Sequence, residues 1–243
     1  MLPLTTAQAP VDVCGDPALQ LVCPNLRMAP PYDLKEVGTP AGRRLLLMGN
    51  RIVNVGPGPA ELRGTRVSED EMAARQVVQR PSSPFGSASL ATGAKLTWKY
   101  VDRRRGNYWK LANAARFELW STEPATGSRV ALVRTGPKLD YCLRDLFRRR
   151  GTRTGSLVYP ACSQKHYRRD VTLGISVDWA DGYPAKYPEN WIDVTGLVGC
   201  FRVVQRADPT NVIRETDERD NAASLTVRLP YRAAGSPQSP PCP

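Results

Sequence analysis

Lys95-Leu96-Thr97-Trp98-Lys99-Tyr100-Val101 alternates apolar and polar side chains. Successive side chains of a β-strand point to opposite faces, so this stretch reads as a strand with one buried face and one wet face. Segments of the same kind recur outward from it. Leu45-Leu46-Leu47-Met48 and Ile52-Val53-Asn54-Val55 precede the breaker cluster Gly56-Pro57-Gly58-Pro59, which reads as strand followed by turn. Further strand candidates are Arg116 to Trp120, Arg129 to Val133, Leu139 to Leu143, Cys200 to Val204 and Ser224 to Leu229. Glu69 to Arg75 reads as a short helix. Many short strands joined by irregular turns predict a mainly β chain, an antiparallel β-sandwich with long loops.

The composition agrees. Among 243 residues, 22 prolines and 19 glycines oppose long helices, while a hydrophobic share of 41% suffices for a core. At roughly 100–200 residues per domain the length suits one large domain. No internal repeat or composition shift divides the chain. The reading is an N-terminal segment over 1–23, a single domain over 24–232, and a Pro/Ser-rich tail over 233–243. No run approaches the roughly 18 apolar residues that a spanning helix requires.

The net charge is +11, and its densest runs are Arg103-Arg104-Arg105 and Arg148-Arg149-Arg150, with Arg153 and Arg168-Arg169 nearby. No DNA- or RNA-binding motif accompanies them, so nucleic acid is set aside. They read as a solvated basic face, with an anionic extracellular polymer or surface as the partner class it would attract. Cys14, Cys23, Cys142, Cys162, Cys200 and Cys242 include no Cys-x-x-Cys pair. An even count without metal spacing points to disulfides and an oxidising compartment, with the pairing open. Ala7-Gln8-Ala9 resembles the small-residue end of a secretory signal. Residues 1–23 are therefore read as the remnant of a processed signal region, and the protein as secreted.

Familiar catalytic motifs are missing: there is no Gly-x-Ser-x-Gly elbow, Walker loop or dinucleotide fingerprint. His166 is the sole histidine, which excludes any metal site built from two or more imidazoles of one chain. Beside Lys165, Tyr167, Arg168 and Arg169 it reads as an exposed loop residue. Asp178 and Asp181 carry no spacing that marks acid/base work. The acidic stretch Glu215-Thr216-Asp217-Glu218-Arg219-Asp220-Asn221 offers several oxygen donors before the last apolar strand, a composition that hard cations such as calcium prefer.

Two ordered motifs resemble the catalytic domain of the lysyl oxidase family, particularly its bacterial members. The stronger is Gly174-Ile175-Ser176-Val177-Asp178-Trp179-Ala180-Asp181-Gly182-Tyr183, followed after a spacer by Trp191-Ile192-Asp193-Val194-Thr195. The family has a similar Gly-hydrophobic-Ser opening, a Tyr near its end, and Trp-Ile-Asp-Ile-Thr beyond. The second is Gly136-Pro137-Lys138-Leu139-Asp140-Tyr141-Cys142-Leu143-Arg144-Asp145, which resembles Gly-His-Lys-x-x-Phe-Cys-Leu-x-Asp. The likeness runs from about Pro24 to Pro230. It implies a lysyl-oxidase-like β-sandwich and a copper-dependent amine oxidase whose quinone, lysine tyrosylquinone, forms from a tyrosine and a lysine. The matching positions are Tyr183 and Lys138. The implied reaction is oxidative deamination of a primary amine to an aldehyde.

The same resemblance implies a calcium site at Asn25, Leu26, Glu215, Asp217, Asp220 and Asn221, and a disulfide between Cys142 and Cys162. Cys14 with Cys23 and Cys200 with Cys242 would complete the set, with the pairing beyond Cys142 and Cys162 left open. The departure lies in the copper strip, His-x-His-x-His in the family. Counting back from Phe117-Glu118-Leu119 puts Arg105, Asn107 and Trp109 at those positions, and Pro137 replaces the histidine before the lysine. Copper(II) prefers imidazole nitrogen, and a guanidinium is a fixed cation. The expectation is a copper-site-deficient pseudoenzyme, an extracellular binding or structural module in which Lys138 and Tyr183 stay ordinary side chains. The alternative, an active copper- and quinone-dependent amine oxidase, would need His166 with Tyr, Cys or carboxylate donors, or a ligand from another chain.

Overall fold

A computed structural model describes residues 12–102, 106–149, 151, 156–232 and 242. Ala7-Gln8-Ala9, Arg103, Arg104, Arg105, Arg150, Arg153 and the tail from Ala233, apart from Cys242, lie outside the described residues. The strands in chain order are β1 (Leu26–Met28), β2 (Tyr32–Gly38), β3 (Arg44–Asn54), β4 (Ala60–Arg66), β5 (Glu71–Gln79), β6 (Ser87–Leu90), β7 (Lys95–Asp102) and β8 (Gly106–Thr122). They continue with β9 (Arg129–Thr135), β10 (Leu139–Tyr141), β11 (Phe147–Arg148), β12 (Asp170–Ile175), β13 (Trp179–Tyr183), β14 (Trp191–Asp193), β15 (Gly199–Ala207) and β16 (Ala222–Leu229). Among the described residues there is no helix, hence none long and apolar enough to cross a membrane.

All pairings are antiparallel and form two sheets. The smaller runs β1-β3-β13-β11, with β2 and β14 also on β3; the larger runs β12-β4-β5-β7-β8-β15-β16, with β6 on β5 and β9 and β10 on β8. Leu26, Met28, Leu46, Met48 and Ile52 from the first sheet share one core with Leu62, Met72, Leu96, Leu111, Phe117, Leu119, Val203 and Val227 from the second. Each such burial stabilises the fold by about 1.5–3 kcal/mol before chain entropy is counted. The mainly β expectation therefore holds.

Two local readings change. Leu45 to Met48 and Ile52 to Val55 belong to one strand, because Gly49-Asn50-Arg51 continues the backbone where β3 passes from its β2 and β14 partners to β1 and β13. Glu69 to Arg75 is not a helix: β5 begins at Glu71 and buries Met72, Ala74, Gln76 and Val78 in strict alternation. Pairing to β4 on one side and to β6 and β7 on the other overrides the local helix propensity of its alanines.

Three disulfides form, Cys14–Cys23, Cys142–Cys162 and Cys200–Cys242, with Cα separations of 5.9, 5.5 and 5.8 Å. They suit an oxidising environment. The second pins the loop after β10 to the segment that precedes His166, beside the cavity described next.

Candidate functional site

The two motif segments meet at a buried carboxylate. Asp145 accepts hydrogen bonds from Ser176 N at 2.7 Å, Ser176 Oγ at 2.7 Å, Val158 N at 2.8 Å and Tyr159 N at 3.0 Å. Four donors compensate a group taken almost wholly out of water. This hub fixes the turn from β12 into β13, where Asp178 takes a left-handed φ of 62°, and so sets the direction in which β13 delivers Tyr183. Gly182 is required there, because a Cβ on it would lie 2.5 Å from the Asn50 carbonyl oxygen.

Tyr183 ends in a cluster of phenols. Its ring stacks on Tyr187 at 4.1 Å between centroids and tilts against Tyr141 at 4.6 Å. Its hydroxyl accepts from the Cys142 N–H at 3.4 Å. Burial pushes both the Tyr141 and the Tyr183 phenols well above the ordinary range, so both stay protonated. The Tyr32 hydroxyl donates toward the Tyr183 carbonyl at 3.4 Å, and Asn190 ties down the following turn through the Pro184 carbonyl at 3.0 Å. Around these rings opens a cavity of about 410 Å³, walled also by Tyr108, Lys110, Arg144, Phe147 and Cys162.

The lysine at Tyr183 is Lys110, which the sequence reading did not single out. Lys110 is 1% exposed. Its Nζ donates to the Tyr187 hydroxyl at 2.6 Å and lies 5.2 and 5.0 Å from the Tyr183 and Tyr187 ring centroids. Burial pushes its ammonium down to about 8, against the attraction of Glu189 and Asp140. Those two carboxylates are already held by Lys99, whose Nζ is 2.9 Å from each. Asp181 lies just below, fully buried, with Oδ1 on the Gly182 N–H at 2.9 Å and Oδ2 without a partner. Burial raises it to about 7, with Arg144 pulling the other way.

Strand alternation explains why Lys110 escaped notice. The register Leu96↔Leu111, Thr97↔Lys110, Trp98↔Trp109 runs unbroken from Leu96 to Tyr100, which pairs with Asn107, and shifts only beyond it. Trp109 and Leu111 therefore face one side and Tyr108 and Lys110 the other. The side carrying Tyr108 and Lys110 is the one at Tyr183. Trp109 is fully buried on the opposite side, tilted against Trp98 at 5.5 Å, stacked beneath His166 at 6.1 Å and crossed by Arg66. A strip aimed at Tyr183 is thus displaced by one residue from Asn107 and Trp109, and a one-residue slip exchanges faces completely. Arg105 is outside the described residues. A signal was available: a lysine inside the apolar surroundings Trp109-Lys110-Leu111-Ala112.

The other anticipated residues are distributed as follows. Lys138 stands exposed just before β10, and it does not wall the cavity around Tyr183. His166 is a loop residue but half-buried, with Nε2 2.8 Å from Asp70 Oδ1 and its ring over Trp98 at 4.8 Å. At the acidic loop, the Leu26 N–H and the Asn221 amide bind the two oxygens of buried Glu215, and Asn25 Nδ2 reaches Asp220 at 3.3 Å. Asn25 Oδ1, Asp220 Oδ1 and Asn221 Oδ1 are buried acceptors without partners. Asp217 points elsewhere, paired with Arg219 at 2.9 Å, and Arg27 pairs with Asp220. Among the described residues no group of three or more His, Cys, Asp or Glu converges as a metal site. Burial, reinforced by Glu218 and Asp208, raises Glu215 to about 9. No protein-family model matches this chain, and no curated protein does.

Proposed function

We propose that this chain is a secreted lysyl-oxidase-like β-sandwich that keeps the family's tyrosine cavity without its copper and serves as an extracellular binding module. One observation carries the reading: Lys110 Nζ sits 5.2 Å from the ring of Tyr183, on the strand that would have to supply the metal. Copper(II) takes imidazole, and β8 offers this side a phenol from Tyr108 and an ammonium from Lys110. Like charges this close repel strongly where water is scarce. Counting from the other face does not restore the donors, since Asn107 and Trp109 are an amide and an indole. His166, the sole imidazole, is engaged with Asp70. The residues present do not fit copper, and no oxidative step is assigned to Tyr183 or Lys138.

Calcium fits the acidic loop better. The unpartnered oxygens of Asn25, Asp220 and Asn221, with Glu215 beside them, are hard donors of the type calcium takes. They would hold the ion as a structural clamp between the start of β1 and the loop before β16. The partner class follows from the net charge of +11, which favours an anionic polymer or surface outside the cell.

Copper loading followed by metal analysis, together with peroxide detection on an alkylamine, tests the reading. No stoichiometric copper and no peroxide are expected. Tightly held copper with peroxide release would establish an amine oxidase instead. Retention on heparin that falls with salt, and falls again when Arg148 and Arg149 are neutralised, tests the partner class.

A further inference from the structure

We infer that Lys110 captures small aldehydes of aromatic or apolar body as a reversible imine within the tyrosine cavity. This rests on the reading above only in taking the cavity for a binding site. A nucleophilic lysine must be uncharged, which requires a pocket that disfavours the ammonium. Lys110 meets that condition geometrically. It is enclosed by the rings of Tyr183 and Tyr187, walls a cavity of about 410 Å³ large enough for a small organic molecule, and makes its hydrogen bond to a neutral phenol rather than to a carboxylate. The charged groups that act on it are Glu189, Asp140, Lys99 and Asp181. With burial dominant, about half of Lys110 is free amine near pH 8, against under about 1% for an ordinary lysine.

The chain has six other lysines, Lys35, Lys95, Lys99, Lys138, Lys165 and Lys186. Five are exposed. The sixth, Lys99, is kept charged because its bonds to Asp140 and Glu189 outweigh its burial. Selectivity for Lys110 thus comes from its surroundings. The ligand class follows from the walls, since Tyr108, Tyr183, Phe147 and Leu146 present ring and alkyl surface to whatever the amine holds.

The chemistry balances without an oxidant. The Nζ lone pair attacks the carbonyl carbon as the C–O π pair moves to oxygen. A proton passes from nitrogen to that oxygen, with the Tyr187 hydroxyl placed to relay it. The carbinolamine then loses its hydroxyl as water, nitrogen loses its second proton, and the imine remains.

The test uses the full chain, freed of metal by chelator, with benzaldehyde and cyanoborohydride at about pH 7.5, where reduction locks any imine as a benzyl amine. Chymotryptic mapping is expected to place the benzyl group on Lys110, with the six other lysines at background and the rate rising through about pH 8. The Lys110→Arg variant should lose the label, and Tyr187→Phe, which keeps the ring packing, should label severalfold more slowly. Equal labelling of exposed lysines, or an unlabelled Lys110 in folded wild-type protein, overturns the inference. A protein that takes up no copper yet leaves Lys110 unlabelled removes the imine and leaves the binding module standing. Quinone formation removes the module whatever Lys110 does.

Discussion

Lys110 Nζ donates to the Tyr187 hydroxyl at 2.6 Å inside a cage of phenol rings. Burial there costs the folded state part of the lysine's charge. Its folded value, about 8, lies below that of the unfolded chain, so between about pH 8 and 10 the unfolded chain binds more protons and stability rises with pH, by up to about 1.4 kcal/mol per unit. Chemical denaturation at about pH 7.5 and 9.5 should show this gain in the wild type, and Lys110→Met should abolish it.

Asp181 has the opposite sign. Its folded value, about 7, lies above that of the unfolded chain, so between about pH 4 and 7 the folded state holds a proton that the unfolded state has released, and stability falls as pH rises. Asp181→Asn should flatten the decline over that window and leave the protein at least as stable as wild type at pH 7.5. A wild-type curve that rises through the window would contradict the burial argument.

Asp145 supports the motif turn through four hydrogen bonds. Asp145→Ala strands the Ser176, Val158 and Tyr159 donors and should cost about 3–5 kcal/mol, read as a lower denaturation midpoint. Ser176→Ala removes only the hydroxyl's bond and should cost about 1–2 kcal/mol.

Calcium should raise the melting temperature of chelator-treated protein, and chelation should lower it again. At roughly 2–4 °C per kcal/mol for a chain of this size, a structural ion moves the midpoint by several degrees. Glu215→Gln and Asn25→Ala, which alter donors on both sides of the clamp, should abolish the response, whereas Asp217→Asn should leave most of it because Asp217 is turned to Arg219.

Much of the fold was legible because alternation is a local signal. Lys95 to Val101 lies within β7, and its inward face runs from buried Leu96 through half-buried Trp98 to Tyr100, 61% exposed, as the strand leaves the core. Cys142–Cys162, expected from the resemblance, is formed. Glu69 to Arg75 misled because its alanines favour a helix locally, while the two-sided pairing that makes β5 is long-range. Tyr183 was singled out from its motif, but the lysine that the fold puts beside its ring was not. Which side of β8 meets Tyr183 depends on the β7–β8 register and on the turn held by Asp145, and neither can be counted from Phe117-Glu118-Leu119. The buried Asp181 and the contacts of Tyr187 likewise exist only once β13 and the loop after it are folded against β8.

In the proposed reading, the Lys110 ammonium occupies the place where a metal would have to act on Tyr183. Peptide mass analysis after prolonged exposure to copper and oxygen measures this at the residue itself. The peptides containing Tyr183 and Lys138 are expected at their unmodified masses, unlinked and without added oxygen. A cross-linked peptide joining Lys138 to an oxidised Tyr183 would contradict it.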